Sequence, residues 1–472
     1  MKCLLLHIQR VALCSLLIFS LSNCSLRSLN LDPDPLLLPP ENFIAESGDS
    51  LPQHAEEDDI KSAWWSNFEQ SNLNNLIEEG LQNNFSIMAA LARLEQASAI
   101  AGRSYAPLFP QIGFDAGSRG QISGSGNSSF ITAAGAALNW ELDFFGRLYS
   151  AYQARTFEET AAGYDLLSLR LIVSSRIAET FFLALEQREQ LQLLKNQVDV
   201  DRELLELTEL RFKGGLVSSV DVLQQRGQLA DTESFIPLAE ARLRFFENQL
   251  NILRGKYPDG ISVIAHNEQL PDVGEDIFAG TPARLILERP DLLALRSRLI
   301  AADADINSAI AARFPSVNIG ASYAFLKDRD NNGFVGSVFS GFILPLIDWG
   351  RRRAEVARNK ALYAERIAEY TDAVLTAVTE VEDSLYSIVK QKEYIIKLEK
   401  RLSILKETAE ETTLRYNQGL TDYLPVLDAI QSLRAAERAL LAERRQLVLF
   451  KVQLYRTLGG PMPALEDNKN ES

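Results

Sequence analysis

Apolar residues along this chain recur with two different periods, and the stretches carrying each period alternate twice. From Gln111 the period is two: Ile112, Phe114 and Ala116 share one side, and Gln111, Asp115, Arg119 and Gln121 the other. Beyond a Gly/Ser-rich turn (Ser123 to Ser129), Phe130, Thr132, Ala134, Leu138, Trp140 and Leu142 face one way, and Asn139, Glu141 and Asp143 the other. Val317, Ile319, Ala321, Tyr323 and Phe325 stand against Ser316, Asn318 and Ser322 in the same manner, and Phe334 to Leu346 repeats it less regularly. Such alternation over about ten residues predicts strands with one apolar and one wet face, as a membrane-spanning β-strand requires.

Around these strands the period is helical. Leu73 to Arg103 carries Leu76, Ile77, Leu81, Leu91 and Leu94 at helical spacing and predicts one helix ending before Pro107, with Ala283 to Arg313 as its counterpart. Neither Gly nor Pro occurs between Gly163 and Gly214, nor between Gly350 and Gly419. The second gap alone predicts roughly 100 Å of continuous helix at about 1.5 Å per residue. Ile177, Ala184, Leu191, Val198, Leu205 and Phe212 fall seven apart, a repeat that coils a helix left-handedly against a neighbour. After each Gly break a second helix returns, from Ser219 to Arg254 and from Tyr423 to Leu458.

These elements are written twice. Phe109-Pro110 aligns with Phe314-Pro315, "LDFFGR" (Leu142 to Arg147) with "LIDWGR" (Leu346 to Arg351), and Gly255 with Gly459. The clearest pair is "RFKGGLVSSVDVL" from Arg211 and "RYNQGLTDYLPVL" from Arg415, 204 residues apart. Each half therefore reads helix, two strands, long helical hairpin. The organisation follows: 1–23 a signal peptide, 24–62 an N-terminal linker, 63–257 the first repeat, 258–281 a linker, 282–460 the second repeat, and 461–472 a polar tail.

Composition changes the picture at two points. The opening "MKCLLLHIQRVALCSLLIFSLSNC" has a positive start (Lys2, Arg10) and a short apolar core, the pattern of a secretory signal. Of the cysteines Cys3, Cys14 and Cys24, only the last survives cleavage, and "LSNC" resembles a bacterial lipobox although Asn23 replaces the usual small residue. That resemblance implies diacylglycerol and an N-acyl chain on Cys24, and Ser25 after it resembles an outer-membrane address. A lone cysteine leaves no disulfide within the mature chain. The second point is charge: 48 basic against 63 acidic residues give −15, and loss of Lys2 and Arg10 makes it −17, which argues against a nucleic-acid partner.

Four antiparallel strands cannot close a barrel, since the smallest bacterial ones have about eight, and an open sheet in lipid leaves its edges unsatisfied. The barrel must therefore be shared between copies, with the long helices ringed below it.

"WWSNFEQSNLNNLIEEGLQNNFSIMAALARLEQA" from Trp64, "ERPDLLALRSRLIAADADIN" from Glu288, "FPSVNIGASY" from Phe314, "LPLIDWGRRRAEV" from Leu344 and the two tip motifs resemble the TolC-type outer membrane factors, most of all the lipidated NodT/OprM-like branch. The resemblance covers about Ala63 to Gly460. It implies an α+β membrane protein: a homotrimer whose chains each give four strands to a shared twelve-stranded outer-membrane barrel and long helices to a periplasmic tunnel. It implies a periplasmic adaptor and an inner-membrane RND transporter as partners, and a passive export duct without enzymatic chemistry. In keeping with that, the histidines are only His7, His54 and His266, and "GSRGQISGSGNSSF" lacks the helix start a phosphate loop needs.

In the family the helix–helix turns form a periplasmic mouth closed by inward side chains. Carried onto this chain, that makes Asp221, Asp428 and Asp422 gate candidates, Arg211, Arg415 and Tyr416 a latch, and Gly215, Leu216, Gly419 and Leu420 the tips that meet the adaptor. Pro425 stands opposite Asp221 and Gln224 opposite Asp428, so one aspartate ring rather than a double one is expected. An alternative stays open: Asp221 and Asp422 suit the first turn of a helix, where negative charge complements the dipole. At the level of function, a duct for protein secretion with an ABC-type partner and a lipid-anchored scaffold without a pore also remain open.

Overall fold

The computed structural model describes residues 29–44, 63–122, 128–265, 268–271, 287–327 and 332–460. Its elements in chain order are α1 (Ser71–Asn83), α2 (Phe85–Tyr105), β1 (Gln111–Ile122), β2 (Ser128–Leu142), α3 (Arg147–Lys213), α4 (Ser219–Leu253), α5 (Pro290–Ala311), β3 (Ser316–Lys327), β4 (Asn332–Ile343), α6 (Arg351–Asn417) and α7 (Tyr423–Thr457). A short 3-10 turn, Trp64–Phe68, precedes α1. Cys24, His54 and His266 lie outside the described residues.

The chain clusters into two units. One holds Ala92–Tyr164 and Leu293–Asp372, with the N-terminal stretch through Leu38; the other holds Pro39–Leu91, Asp165–Leu292 and everything from Ala373. The first unit contains the sheet, antiparallel in the order β1-β2-β3-β4. Directly opposed residues of antiparallel strands project to the same side, so the register sorts the side chains into two faces. Ile112 opposes Leu138, which opposes Ala321, which opposes Val338; Phe114, Ala136, Tyr323 and Gly336 form the next row. Leu142, Val317 and Phe342 end the same apolar face. The other face carries Gln111 with Asn139, Asp115 with Gly135, Glu141 with Asn318, and Ser322 with Ser337, whose hydroxyls meet at 2.8 Å. The alternation read from each strand thus becomes one continuous apolar surface and a mixed one, which carries these polar residues but also Ile131, Leu326 and, on β4, Val335, Phe339 and Ile343. Among the described residues β1 and β4 each have a free edge.

Two glycines hold the sheet together by what they lack. A Cβ on Gly135 would sit 2.4 Å from the Ala324 Cα and 2.5 Å from the Tyr323 carbonyl oxygen, and one on Gly320 would enter the Phe339 ring.

Both long helices run 67 residues without interruption, about 100 Å each. Gly163 lies inside α3, where it leaves the helix unbroken, and a Cβ added there would meet the Leu94 side chain at 4.0 Å.

The second unit gathers the Trp64–Phe68 turn, α1 and the hairpin helices from Asp165 and Ala373 onward. Trp64 is fully buried, stacked on Tyr455 and edge-on to Trp65, with its indole N–H donating to Ser174 Oγ at 3.3 Å. Phe43 is likewise buried, packed with Val381, Leu385, Leu447 and Leu454.

One expectation is corrected here. The span from Leu73 to Arg103 is two helices, not one. Asn84 leaves the helical region (φ −70°, ψ 122°) and its side-chain oxygen accepts from the Ser86 and Ile87 N–H groups, at 2.9 and 3.3 Å. An asparagine that caps a new helix competes with continuation of the old one. The repeat does the same with different chemistry. Asn84 Nδ2 donates to the Leu253 carbonyl at 2.9 Å, and Arg289, 205 residues on and just before α5, donates to the Thr457 carbonyl at 3.0 Å. Each break therefore closes the C-terminal end of its own hairpin. Arg289 is also gripped by Asp291 and Glu380, at 2.7 and 3.0 Å. Burial by itself would raise the Asp291 carboxyl, but the Arg289 hydrogen bond and charge hold it below the usual carboxylate range.

Candidate functional site at the hairpin tips

Both tips belong to the second unit and share one backbone. Gly215 (φ 72°) and Gly419 (φ 75°) take the left-handed conformation that glycine adopts at little cost. The N–H of Leu216 reaches the Arg211 carbonyl and that of Gly215 the Phe212 carbonyl, both at 2.9 Å. Leu420 and Gly419 bond to Arg415 and Tyr416 in the same way, at 2.9 and 3.0 Å. This paired closure is the Schellman motif, which satisfies carbonyls that a helix end leaves over. A return helix follows in each case, α4 and α7.

The flanks of the two turns differ. At the first, Ser218 and Asp221 form a reciprocal capping box: Asp221 N–H donates to Ser218 Oγ (3.3 Å) and Ser218 N–H to Asp221 Oδ2 (3.1 Å). Asp221 is half-buried and already committed to the helix start. At the second, Asp422 occupies the N-cap position of α7 but makes no side-chain cap bond, and Asp428 is exposed six positions into that helix.

The latch candidates separate as well. Arg211 lies over the Tyr416 ring, 4.5 Å from its centroid, and donates to Asn417 Oδ1 (3.2 Å) and the Tyr416 carbonyl (3.3 Å). It thereby ties the first tip to the second. Arg415 instead pairs with Glu411 on its own helix at 3.0 Å, both exposed. Tyr416 packs edge-on to Tyr423 with centroids 5.3 Å apart, over Val426 and Val217. Burial raises the phenols of both tyrosines, and at Tyr416 the Arg211 cation partly opposes that shift. The Tyr416 hydroxyl is buried with no hydrogen-bond partner among the described residues.

Behind the tips sits a polar group that apolar periodicity could not reveal. Asp201 of α3 is fully buried and held through both carboxylate oxygens by Arg434 of α7, at 2.7 and 2.8 Å. Thr232 Oγ1 donates to the same carboxylate at 2.8 Å, Gln225 Nε2 to the Asp201 carbonyl at 3.0 Å, and the Tyr423 hydroxyl to Gln225 Oε1. The only trace in the sequence is positional. Asp201 falls three after buried Val198 and seven before buried Thr208, on the stripe that packs inward.

Among the described residues no group of His, Cys, Asp and Glu is placed to hold a metal ion. Nor is any helix there long and apolar enough to cross a membrane; the apolar surface that could face lipid is that of the sheet. The family model described as "Outer membrane efflux protein" matches residues 76–256 and 281–460. This chain belongs to the outer membrane efflux protein family. It is 29% identical over 415 residues to the pyoverdine export outer membrane protein OpmQ of Pseudomonas aeruginosa, covering 84% of this chain and 87% of OpmQ. Nodulation protein T of Rhizobium leguminosarum bv. viciae is 28% identical over 453 residues, with 93% and 92% covered. Among solved structures, the outer-membrane channel OprN superposes with a TM-score of 0.84 at 26% identity, covering 91% of this chain and 98% of that one. This protein is thus an outer-membrane efflux channel. Its two matched segments are the two copies of the helix–strand–hairpin unit.

Proposed function

We propose that this efflux protein acts as a homotrimer, forming a passive duct from the periplasm to the outside that is shut at rest at its hairpin tips. The observation that carries the reading is the sheet: one continuous apolar face, a mixed face that holds the polar residues, and two free edges among the described residues. A four-stranded sheet in lipid leaves edge N–H and C=O groups unsatisfied at several kcal/mol each. Joining β4 of one chain to β1 of the next removes every such edge, and three chains of four strands give twelve.

The long helices of the same chains line a periplasmic passage, and the tips are its mouth. Asp428, Asp422 and Asp221 supply negative charge there. Arg211 and Tyr416 fasten one tip to the other, while Leu216 and Leu420 meet a periplasmic adaptor that links the duct to an inner-membrane RND transporter. A diacylglycerol and an N-acyl chain on Cys24 add a second hold on the outer membrane. The duct brings no chemistry and no energy of its own. The test is the mass of the purified particle together with its conductance in a planar bilayer. A particle with the mass of three chains, closed at rest and conducting once Asp221 and Asp428 are neutralised, is the expected result. A monomeric particle refutes the duct and leaves a lipid-anchored scaffold, whereas a trimer that stays closed after neutralisation removes these aspartates from the gate.

A further inference from the structure

The aromatic-Gly-Arg corner beneath the sheet occurs twice, and its two copies end differently. At the first, Phe145 turns back onto its own chain and stacks on Phe314, with centroids 4.9 Å apart and planes 13° from parallel. β2 and β3 are neighbours in the sheet, so the corner leaving β2 meets the corner entering β3. At the second, Trp349 takes a left-handed backbone (φ 54°) and is 97% exposed. Leu346 and Ile347 before it are 84% and 80% exposed. A bulky side chain at such a φ is strained, and an open apolar run marks a contact surface.

The difference has a local cause. Asp143, four residues before Arg147, accepts the Tyr149 N–H at 2.7 Å where α3 begins. Asp348, three residues before Arg351, accepts the Gly350 and Arg352 N–H groups at 3.1 and 3.2 Å where α6 begins. The capping carboxylate thus stands one place later in the second corner, and there the aromatic residue is turned away from its own chain.

Moved through the repeat, Phe145 becomes Trp349, and Phe314 corresponds to Phe109. Trp349 follows β4 and Phe109 precedes β1, the two strands with free edges among the described residues. Joining β4 of one chain to β1 of the next brings these corners together as β2 and β3 bring theirs. Phe109 is 48% exposed, and Tyr105 packs edge-on to it at 4.9 Å, backed by Tyr152 at 5.1 Å from Tyr105. Ile310 stands at the place of Tyr105 in the second repeat, so the bed open to a neighbouring copy is the more aromatic of the two.

We propose that Trp349 is the residue by which each chain grips the next: its ring packs on Phe109 and Tyr105 of a second copy, at the joint between sheet and helices. The inference rests on the trimeric duct proposed above. Around a ring of three chains, six aromatic contacts alternate, Phe145 on Phe314 within a chain and Trp349 on Phe109 between chains. Tryptophan is among the side chains that carry most of the binding energy at interfaces, and packing against aromatic rings offsets the backbone strain once the ring of chains has closed.

Two cysteine pairs in the full-length chain separate the contacts. Trp349→Cys with Phe109→Cys, treated in outer membranes with a short bis-maleimide, is expected to give covalent dimers and trimers on denaturing gels. Phe145→Cys with Phe314→Cys is expected to link only within a chain and to leave monomers. Monomers from the first pair, when the native particle is a trimer, overturn the proposal. Trp349→Gly removes the ring and the strain together, so the chain itself keeps its fold. Its trimers are expected to separate at a lower temperature on gels run without boiling, with Trp349→Phe restoring most of the loss. Trp349→Gly trimers as heat-resistant as the unsubstituted protein overturn the proposal.

The competing place for an exposed tryptophan at the foot of a barrel is the lipid interface. Liposomes of brominated phospholipid test it: the emission lost in Trp349→Phe is expected to be unquenched, and quenching of that component overturns the packing between chains. If the unsubstituted chain is monomeric, the duct reading itself fails and this inference with it.

Discussion

Asp221 has two candidate roles, as a helix cap and as a charge at the mouth, and the capping geometry separates them. Alanine at this position removes the carboxylate that accepts the Ser218 N–H, leaving only the Ser218 half of the box. Loss of such a cap costs about 1 kcal/mol, and loss of the favourable charge–dipole contact adds roughly 0.3–1 kcal/mol. Together that is roughly a ten- to thirtyfold rise in fraying of the first turn of α4, at about 1.4 kcal/mol per factor of ten. The remaining helix is held by buried Val222, Gln225, Gln228 and Thr232, so the trimer should survive. Asparagine is the informative partner, because its amide oxygen still accepts from Ser218 while the charge is gone. Asp428 is exposed in the single chain, and neutralising it should change stability by less than about 0.5 kcal/mol. If charge closes the mouth, Asp221→Asn with Asp428→Asn admits a bulky antibiotic as readily as the double alanine variant, at unchanged trimer level and melting temperature. A tight asparagine double beside a leaky alanine double would show that Asp221 acts by capping. Tightness in both would remove Asp221 and Asp428 from the gate.

Four further outcomes are expected. Trp64→Ala deletes a fully buried ring stacked on Tyr455 and should cost about 3–5 kcal/mol, seen as a lower melting temperature. Gly135→Val drives a side chain into the β3 backbone at Ala324 and Tyr323, and the barrel-dependent, heat-modifiable band on gels should disappear. Burial by itself would raise the Glu79 carboxyl, but its bonds to Lys256 and Arg254 (the latter 2.6 Å) hold it below 4.5. Its stabilising contribution is therefore present above pH 4.5 and lost as pH falls through the depressed value; melting curves should show that loss, and Glu79→Gln should flatten it. Leu216→Ser with Leu420→Ser should abolish adaptor pull-down while leaving the trimer closed and its melting temperature unchanged.

The strands and the doubled hairpin were legible because their periods are long and consistent: alternation at Ile112–Phe114–Ala116 and the glycine-free run to Gly419 each admit one element. The register added what no single strand holds, the joining of four apolar sides into one face. The break at Asn84 was hidden because Ile77 and Leu81 before it and Leu91 and Leu94 after it each keep helical spacing, and an asparagine between such pairs gives no warning that it will cap. The tip residues were legible by their repetition, but their division of labour was not. Arg211 and Arg415 occupy the same position in the same turn; only the ring of Tyr416 and the amide of Asn417, across the hairpin, make the first a bridge. Asp201 and Arg434 were invisible for the converse reason, since each is one charge among several on its own helix (Asp199, Arg202 and Glu203; Glu437 and Arg438) and its partner is more than 200 residues away.

The repeated glycine and the repeated leucine call for different explanations. The glycine is required by the turn, because a φ near 72° or 75° strains any residue with a Cβ. The leucine is not. In a Schellman turn the residue after the glycine commonly rests on the last turn of its own helix, yet Leu216 and Leu420 are each 71% exposed. The turn would close as well on serine, so the leucine leaves an apolar side chain in water at no structural benefit. Two copies of one exposed leucine, on two tips whose other side chains have diverged into a capping box and a tyrosine pair, share a surface requirement rather than a folding one. On the function proposed above, the conformational work of the tips falls to residues that differ between them, and adaptor recognition to the repeated leucine.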